Sequence, residues 1–142
     1  MKPVSELLKK QSGTLWHVRP DDSVFDALKL LADHEVGALM VMDGPALVGM
    51  FSERDYTRKV ALQGRNSRDT RVAEIMTRQV IVVTPRTDNR DCMVLMREKR
   101  IRHLPVVDNG TVLGMLSIRD LMADIIDDHE LTIQQLEQYI HS

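Results

Sequence analysis

Serine, arginine and aspartate stand at fixed spacing in Gly49-Met50-Phe51-Ser52-Glu53-Arg54-Asp55, and the order returns 65 residues later as Gly114-Met115-Leu116-Ser117-Ile118-Arg119-Asp120. Arginine is a bidentate donor to phosphate. A carboxylate beside it accepts both hydrogen bonds of a vicinal diol, as acids do when they recognise ribose hydroxyls. If Ser52 and Ser117 open helices, unpaired N–H groups and the positive end of the helix dipole add to an anion site. Gly49 and Gly114 leave room for a ligand to approach the strand. Together these parts describe a ribose-phosphate site, present twice. The same spacing has a plainer use, because Ser followed three residues later by an acid is a capping box. Ser23-Val24-Phe25-Asp26 and Asp88-Asn89-Arg90-Asp91 share it without the preceding glycine. Spacing alone therefore favours capping.

The elements that must hold these residues are duplicated too. The copies align without a gap from Val18 against Val83 to Val60 against Ile125. Before Val18 the offset becomes 68, with Val4-Ser5-Glu6-Leu7-Leu8 matching Val72-Ala73-Glu74-Ile75-Met76, so three extra residues fall near Ser12-Gly13-Thr14. A unit of this length is too long for a solenoid repeat and short for a domain, so the copies are expected to fold against each other. Each reads as a short leading helix (Val4 to Lys9; Val72 to Met76) and then β-α-β-β-α. The first strands are Leu15 to Val18 and Val80 to Val83, ending before Pro20 and Pro85. Asp22-Ser23 and Asp88 open helices that run to Asp33 and Glu98. Strand pairs follow at Ala38 to Met42 with Val48 to Phe51, and at Leu104 to Val107 with Val112 to Leu116. Asp43-Gly44-Pro45 and Asp108-Asn109-Gly110 supply the turns. Closing helices are predicted over Glu53 to Leu62 and Ile118 to Ile126. The expected fold class is α+β, two β-α-β-β-α repeats in pseudo-twofold relation. Residues 1–62 form the first repeat, 63–71 a linker and 72–127 the second. A separate amphipathic helix is expected over 128–142, with Leu131, Leu136, Tyr139 and Ile140 on one face.

Composition bounds the function. The chain has 142 residues, 43% hydrophobic and 28% charged, as a globular protein does. Its apolar runs fall far short of the roughly 20 residues that span a membrane. No signal core follows Met1, so the cytoplasm is the expected location. A net charge of -2 argues against a protein devoted to nucleic-acid backbones. Basic residues nevertheless gather at Arg97, Lys99, Arg100, Arg102 and His103, and at Arg54, Arg58, Lys59, Arg65, Arg68 and Arg71. Solvated helix faces and a charged linker explain such runs most simply; a small anionic ligand is the sharper alternative. Cys92, the single cysteine, aligns with Ala27 and reads as a buried small residue. The five histidines lack the spacing of a zinc site, so no metal is expected. Without a P-loop, a Gly-x-Gly-x-x-Gly or a nucleophile with its base in context, no catalytic residue is assigned and the chain is not expected to be an enzyme.

Over nearly its whole length the chain resembles a tandem pair of cystathionine β-synthase (CBS) domains, a Bateman module, of the small free-standing bacterial kind. The residues that carry the resemblance are the two Gly-to-Asp ends, Val18-x-Pro20 and Val83-x-Pro85, and the strands Gly37-Ala38-Leu39-Met40-Val41-Met42-Asp43 and Arg102-His103-Leu104-Pro105-Val106-Val107-Asp108. The resemblance implies a regulatory module, commonly a homodimer, with two clefts between the copies for adenine ligands such as AMP, ADP, ATP, NAD(H) or S-adenosylmethionine. It implies Asp55 and Asp120 on ribose hydroxyls, Ser52 and Ser117 assisting them, and Arg54, Arg119, Arg102 and His103 toward phosphate. Trp16 and Ile81 would border the adenine pockets. Trp16 serves equally well as a core anchor.

The copies differ where Arg102-His103 of the second stand against Gly37-Ala38 of the first. Unequal sites are expected, one suited to phosphate charge and the other to a bulkier or less charged group. Two other readings stay open. One is a dimerisation scaffold with empty clefts that acts through an effector protein. The other, less favoured, is nucleic-acid association through the 54–71 run, which would show a steep salt dependence.

Overall fold

The computed structural model describes residues 2–9 and 15–141, so the extra residues near Ser12-Gly13-Thr14 lie outside the described residues, as do the side chains of Thr132, Tyr139 and His141. In chain order the elements are α1 (Val4–Leu8), β1 (His17–Val18), α2 (Val24–His34), β2 (Ala38–Asp43), β3 (Ala46–Ser52), α3 (Glu53–Tyr56), α4 (Val72–Ile75), α5 (Asn89–Lys99), β4 (His103–Asp108), β5 (Thr111–Ser117) and α6 (Ile118–His141). α3 continues as a π-helix over Thr57–Ala61, with Leu62 N–H donating to the Thr57 carbonyl at 3.0 Å. The mixed α+β architecture is the one the periodicities predict.

Local chemistry explains most boundaries. Ser23 Oγ accepts the Asp26 N–H at 3.0 Å and starts α2. Asp88 stands at the matching position of α5 but makes no side-chain capping bond. There the Asn89 N–H goes instead to the Lys2 carbonyl at 3.2 Å. Asn109 and Gly110 both take positive φ, 51° and 79°, as a tight hairpin between β4 and β5 requires.

The chain forms two compact units, and they do not follow the sequence repeat. Residues 15–81 with 109–112 make one; residues 2–9, 82–108 and 113–141 make the other, called here the terminal unit. In the 15–81 unit, β1 runs parallel to β2 and β2 antiparallel to β3, with His17 beside Met40 and Ala38 beside Ser52. Its core joins Val18, Val24, Leu31, Leu39 and Phe51 to Val72, Ile75 and Met76. Complete burial of Leu39 and Phe51 stabilises the fold by about 1.5–3 kcal/mol each. In the terminal unit β4 pairs with β5, and Val4, Leu7, Cys92, Leu104, Val106, Leu116 and Leu121 are buried.

The leading segments are thus exchanged between the copies. Val72 and Ala73 donate to the carbonyls of Asp22 and Pro20, both at 2.9 Å; Val4 and Ser5 donate to Thr87 at 2.9 Å and Pro85 at 3.0 Å. Each pair of acceptors is related by the offset of 65, so both leading helices dock in the same way, each on the copy to which it is not joined by the repeat. The strand expected over 80–83 is reduced to one parallel bridge, Val83 with Val106. The chain passes from one unit into the other between Ile81 and Val82.

The expected break before residue 128 is absent, since α6 is one helix of 24 residues. No Gly or Pro occurs between Ile118 and Ser142 to end it. The face assigned to its end also changes. At 100° per residue Leu131 lies opposite Ile140, and the exposed stripe is Met122, Ile126, Ile133, Leu136 and Ile140.

Candidate functional site

Both repeated polar ends fold as reciprocal capping boxes. Ser52 N–H donates to Asp55 Oδ2 at 3.0 Å and Asp55 N–H to Ser52 Oγ at 3.2 Å. The counterparts, Ser117 N–H to Asp120 Oδ2 and Asp120 N–H to Ser117 Oγ, measure 2.8 and 3.2 Å. The first helical N–H groups are also engaged, Glu53 to the Gly37 carbonyl at 3.1 Å and Ile118 to the Arg102 carbonyl at 2.9 Å. Capping therefore takes up donors that the spacing had offered to an anion.

Beyond this shared frame the ends diverge. In the 15–81 unit Asp55 is 7% exposed. Its Oδ2 also accepts Ser52 Oγ at 3.0 Å, while Oδ1 takes Thr77 Oγ1 at 3.1 Å and Lys59 Nζ at 3.0 Å. Lys59 reaches back one helical turn and donates to the Ile75 carbonyl as well, at 3.0 Å. Lys59 was legible as an i,i+4 partner. Thr77, 22 residues from Asp55, left no local signal and arrives with the exchanged segment.

Gly49 serves that segment too. A Cβ on it would lie 2.6 Å from Met76 Sδ and 3.1 Å from the Thr77 carbonyl. The space assigned to a ligand is filled by the protein itself, which corrects the reading of this glycine. Met50 and Thr77 exchange both backbone hydrogen bonds at 2.9 Å.

In the terminal unit, Ser117 and Asp120 are half-buried beside His103, and Arg102 and Arg119 are exposed. Burial holds the His103 imidazole below its ordinary pKa of 6.5; the Asp120 carboxylate opposes that shift and Arg102 adds to it. His103, Arg102 and Asp120 therefore share one electrostatic neighbourhood. The offset of 65 puts half-buried Gly37 and buried Ala38 at the corresponding places of the other unit, where no cationic side chain is available.

Trp16 departs from the core-anchor reading. It is 39% exposed and so anchors no core, and its ring stacks on His34 at a centroid distance of 3.5 Å. Ile81 is half-buried and Arg54 exposed. The linker cations are bound up locally: Arg65 pairs with Glu74 at 2.7 Å, Arg71 donates to the Asp21 carbonyl at 2.6 Å, and Arg68 covers the Phe25 ring at 4.4 Å. Backbone and arginine donors hold the Glu74 carboxyl below the usual range. Sequence reasoning also missed a buried pair, Asn89 Nδ2 to Asp124 Oδ2 at 2.8 Å, which ties α5 to α6.

A family model for the CBS domain matches residues 4–62 and again 72–127. The chain belongs to the CBS-domain family. It is 41% identical over 137 residues to the CBS domain-containing protein CBSX3, mitochondrial, of Arabidopsis thaliana, covering 93% of this chain and 66% of that protein. A putative signal-transduction protein with CBS domains from Burkholderia ambifaria superimposes with a TM-score of 0.86 at 46% identity, over 89% of this chain and 96% of that one. A hexameric CBS-CP12 protein from bloom-forming cyanobacteria gives 0.73 at 28% identity, over 86% and 70%. The capping boxes, the paired strands and both leading helices lie within the two CBS matches. Residues 128–141 lie beyond them. Among the described residues no helix is long and apolar enough to cross a membrane.

Proposed function

We propose that this CBS pair is a non-catalytic regulatory module, cytoplasmic and homodimeric, that binds an adenine nucleotide and changes conformation or dimer geometry for an effector protein to read. The observation that carries this reading is the grouping of His103, Arg102 and Asp120 at the start of α6. A carboxylate for ribose hydroxyls stands there beside the Arg102 guanidinium and the His103 imidazole as donors for phosphate, with Ser117 and Arg119 at the same helix start. This end takes the more highly charged ligand. The other, with Ser52, Arg54, Asp55, Gly37 and Ala38, takes a less charged or bulkier group, and Trp16 and Ile81 border the adenine pockets. Arg102 supplies a phosphate donor that Gly37 and Ala38 cannot, so the Asp120 end is the tighter of the two for a charged ligand.

Calorimetry against AMP, ADP, ATP, NADH and S-adenosylmethionine tests this on the wild type, Asp120→Ala and Asp55→Ala. Saturation at 100 times the dissociation constant stabilises the fold by about 2.7 kcal/mol. Asp120→Ala abolishes the tighter phase. Absence of any response at millimolar ligand, or two equal affinities, sinks this assignment. The buried, fully engaged carboxylate of Asp55 favours one competing reading, a ligand-free scaffold. The hexameric assembly of the cyanobacterial relative fits that reading as well.

A further inference from the structure

Outside the polar ends, the terminal unit has an unexplained groove of about 420 Å³ lined by residues that include Arg90, Met93, Val94, Arg97, Ile101 and Ile118. Arg90 and Arg97 stand two turns apart on α5, about 10.5 Å along its axis, with Met93 and Val94 between them. Residues 89–102 hold five Lys or Arg against two acids. The end of α6 is its complement. Ile133, Leu136 and Ile140 are exposed in one stripe. Glu130 and Glu137 flank that stripe at the same two-turn spacing, and residues 127–141 carry four acids and no Lys or Arg. Nothing in the family match assigns this segment, which begins after residue 127.

The helix cannot fill the groove of its own chain. Ile118, at the start of α6, lines the groove. The helix continues unbroken to His141, so Glu130 lies about 18 Å and Ile140 about 33 Å further along the axis. Pairing two α6 ends with each other would set four acids against four, which is repulsive.

We infer that the end of α6, residues 130–140, docks in the Arg90–Arg97 groove of a second copy of this chain. Ile133, Leu136 and Ile140 cover Met93, Val94 and Ile101, while Glu130 and Glu137 meet the two arginines. In either helix direction the midpoints coincide, so Val94 faces Ile133. The inference rests on the homodimer reading and gives that dimer a specific seat, in which each copy contributes one groove and one helix.

Cross-linking and charge reversal test it on the full chain. Separately purified Val94→Cys and Ile133→Cys variants, mixed under mild oxidation, are expected to give a disulfide-linked heterodimer; Cys92 is buried and stays silent. In sedimentation velocity, R90E/R97E and E130R/E137R should each weaken self-association about tenfold or more, with the fourfold variant restoring it within about threefold. A wild-type dimer that neither cross-links nor responds to either reversal overturns the docking and leaves the dimer reading intact. A wild-type monomer at all concentrations overturns both. A heterodimer without charge dependence refutes the arginine–glutamate pairing, and charge sensitivity without rescue refutes it equally.

Discussion

Replacing Asp55 by alanine should destabilise this protein well beyond the loss of a helix cap. The side chain closes the capping box with Ser52, and removing such a cap costs about 1 kcal/mol. It also accepts Thr77 Oγ1 and Lys59 Nζ at 3.1 and 3.0 Å in a site only 7% exposed. Hydrogen bonds to a charged partner contribute about 1.5–3 kcal/mol when buried. The Lys59 bond counts for little, because Lys59 is half exposed and keeps the Ile75 carbonyl. The expected total is about 2–4 kcal/mol. Urea denaturation followed by circular dichroism reads it, and Thr77→Val supplies the second arm of a double-mutant cycle. Thr77→Val alone should cost about 1 kcal/mol, with a coupling to Asp55→Ala of about 0.5–1.5 kcal/mol. A loss below about 1 kcal/mol with no coupling would falsify the claim that this carboxylate clamps the exchanged segment.

Three further outcomes follow from the same geometry. His103 has a folded pKa depressed below 6.5, so below that pH the unfolded chain takes up the proton first and stability falls with acidification; His103→Gln should flatten this fall between pH 7.5 and 5.5 in paired urea titrations, and an unchanged slope refutes it. Gly49→Ala places a Cβ 2.6 Å from Met76 Sδ and 3.1 Å from the Thr77 carbonyl, so it should lower stability by about 1–3 kcal/mol, and a neutral result in thermal melts would mean the segment shifts freely. Cys92 is buried with its thiol pKa pushed up to about 11, chiefly by desolvation, so it should react with a thiol reagent only at the rate at which the terminal unit opens; a stoichiometric burst in native buffer would contradict this.

What the sequence determined by itself is local and repeated. The offset of 65 placed two equivalent polar ends, the Ser-to-Asp spacing identified their capping boxes, and Asn109-Gly110 located a hairpin, because each depends on residues within a few positions. The contrast of Arg102-His103 with Gly37-Ala38 was visible for the same reason. The continuity of α6 was not read from the sequence, which put a break before residue 128, although no Gly or Pro follows Ile118. Only the tertiary structure decided which copy each leading helix completes. Val4-Ser5 and Val72-Ala73 are near-equivalent docking segments, and their acceptors at residues 85 and 87 and at 20 and 22 are near-equivalent surfaces, so both pairings satisfy the same local rules. The choice rests on long-range packing, in which Val72, Ile75 and Met76 join the core around Phe51. That choice brought Thr77 to Asp55 and Met76 over Gly49. Two polar ends spelled almost alike thereby became a buried, fully engaged carboxylate and a half-buried one beside His103.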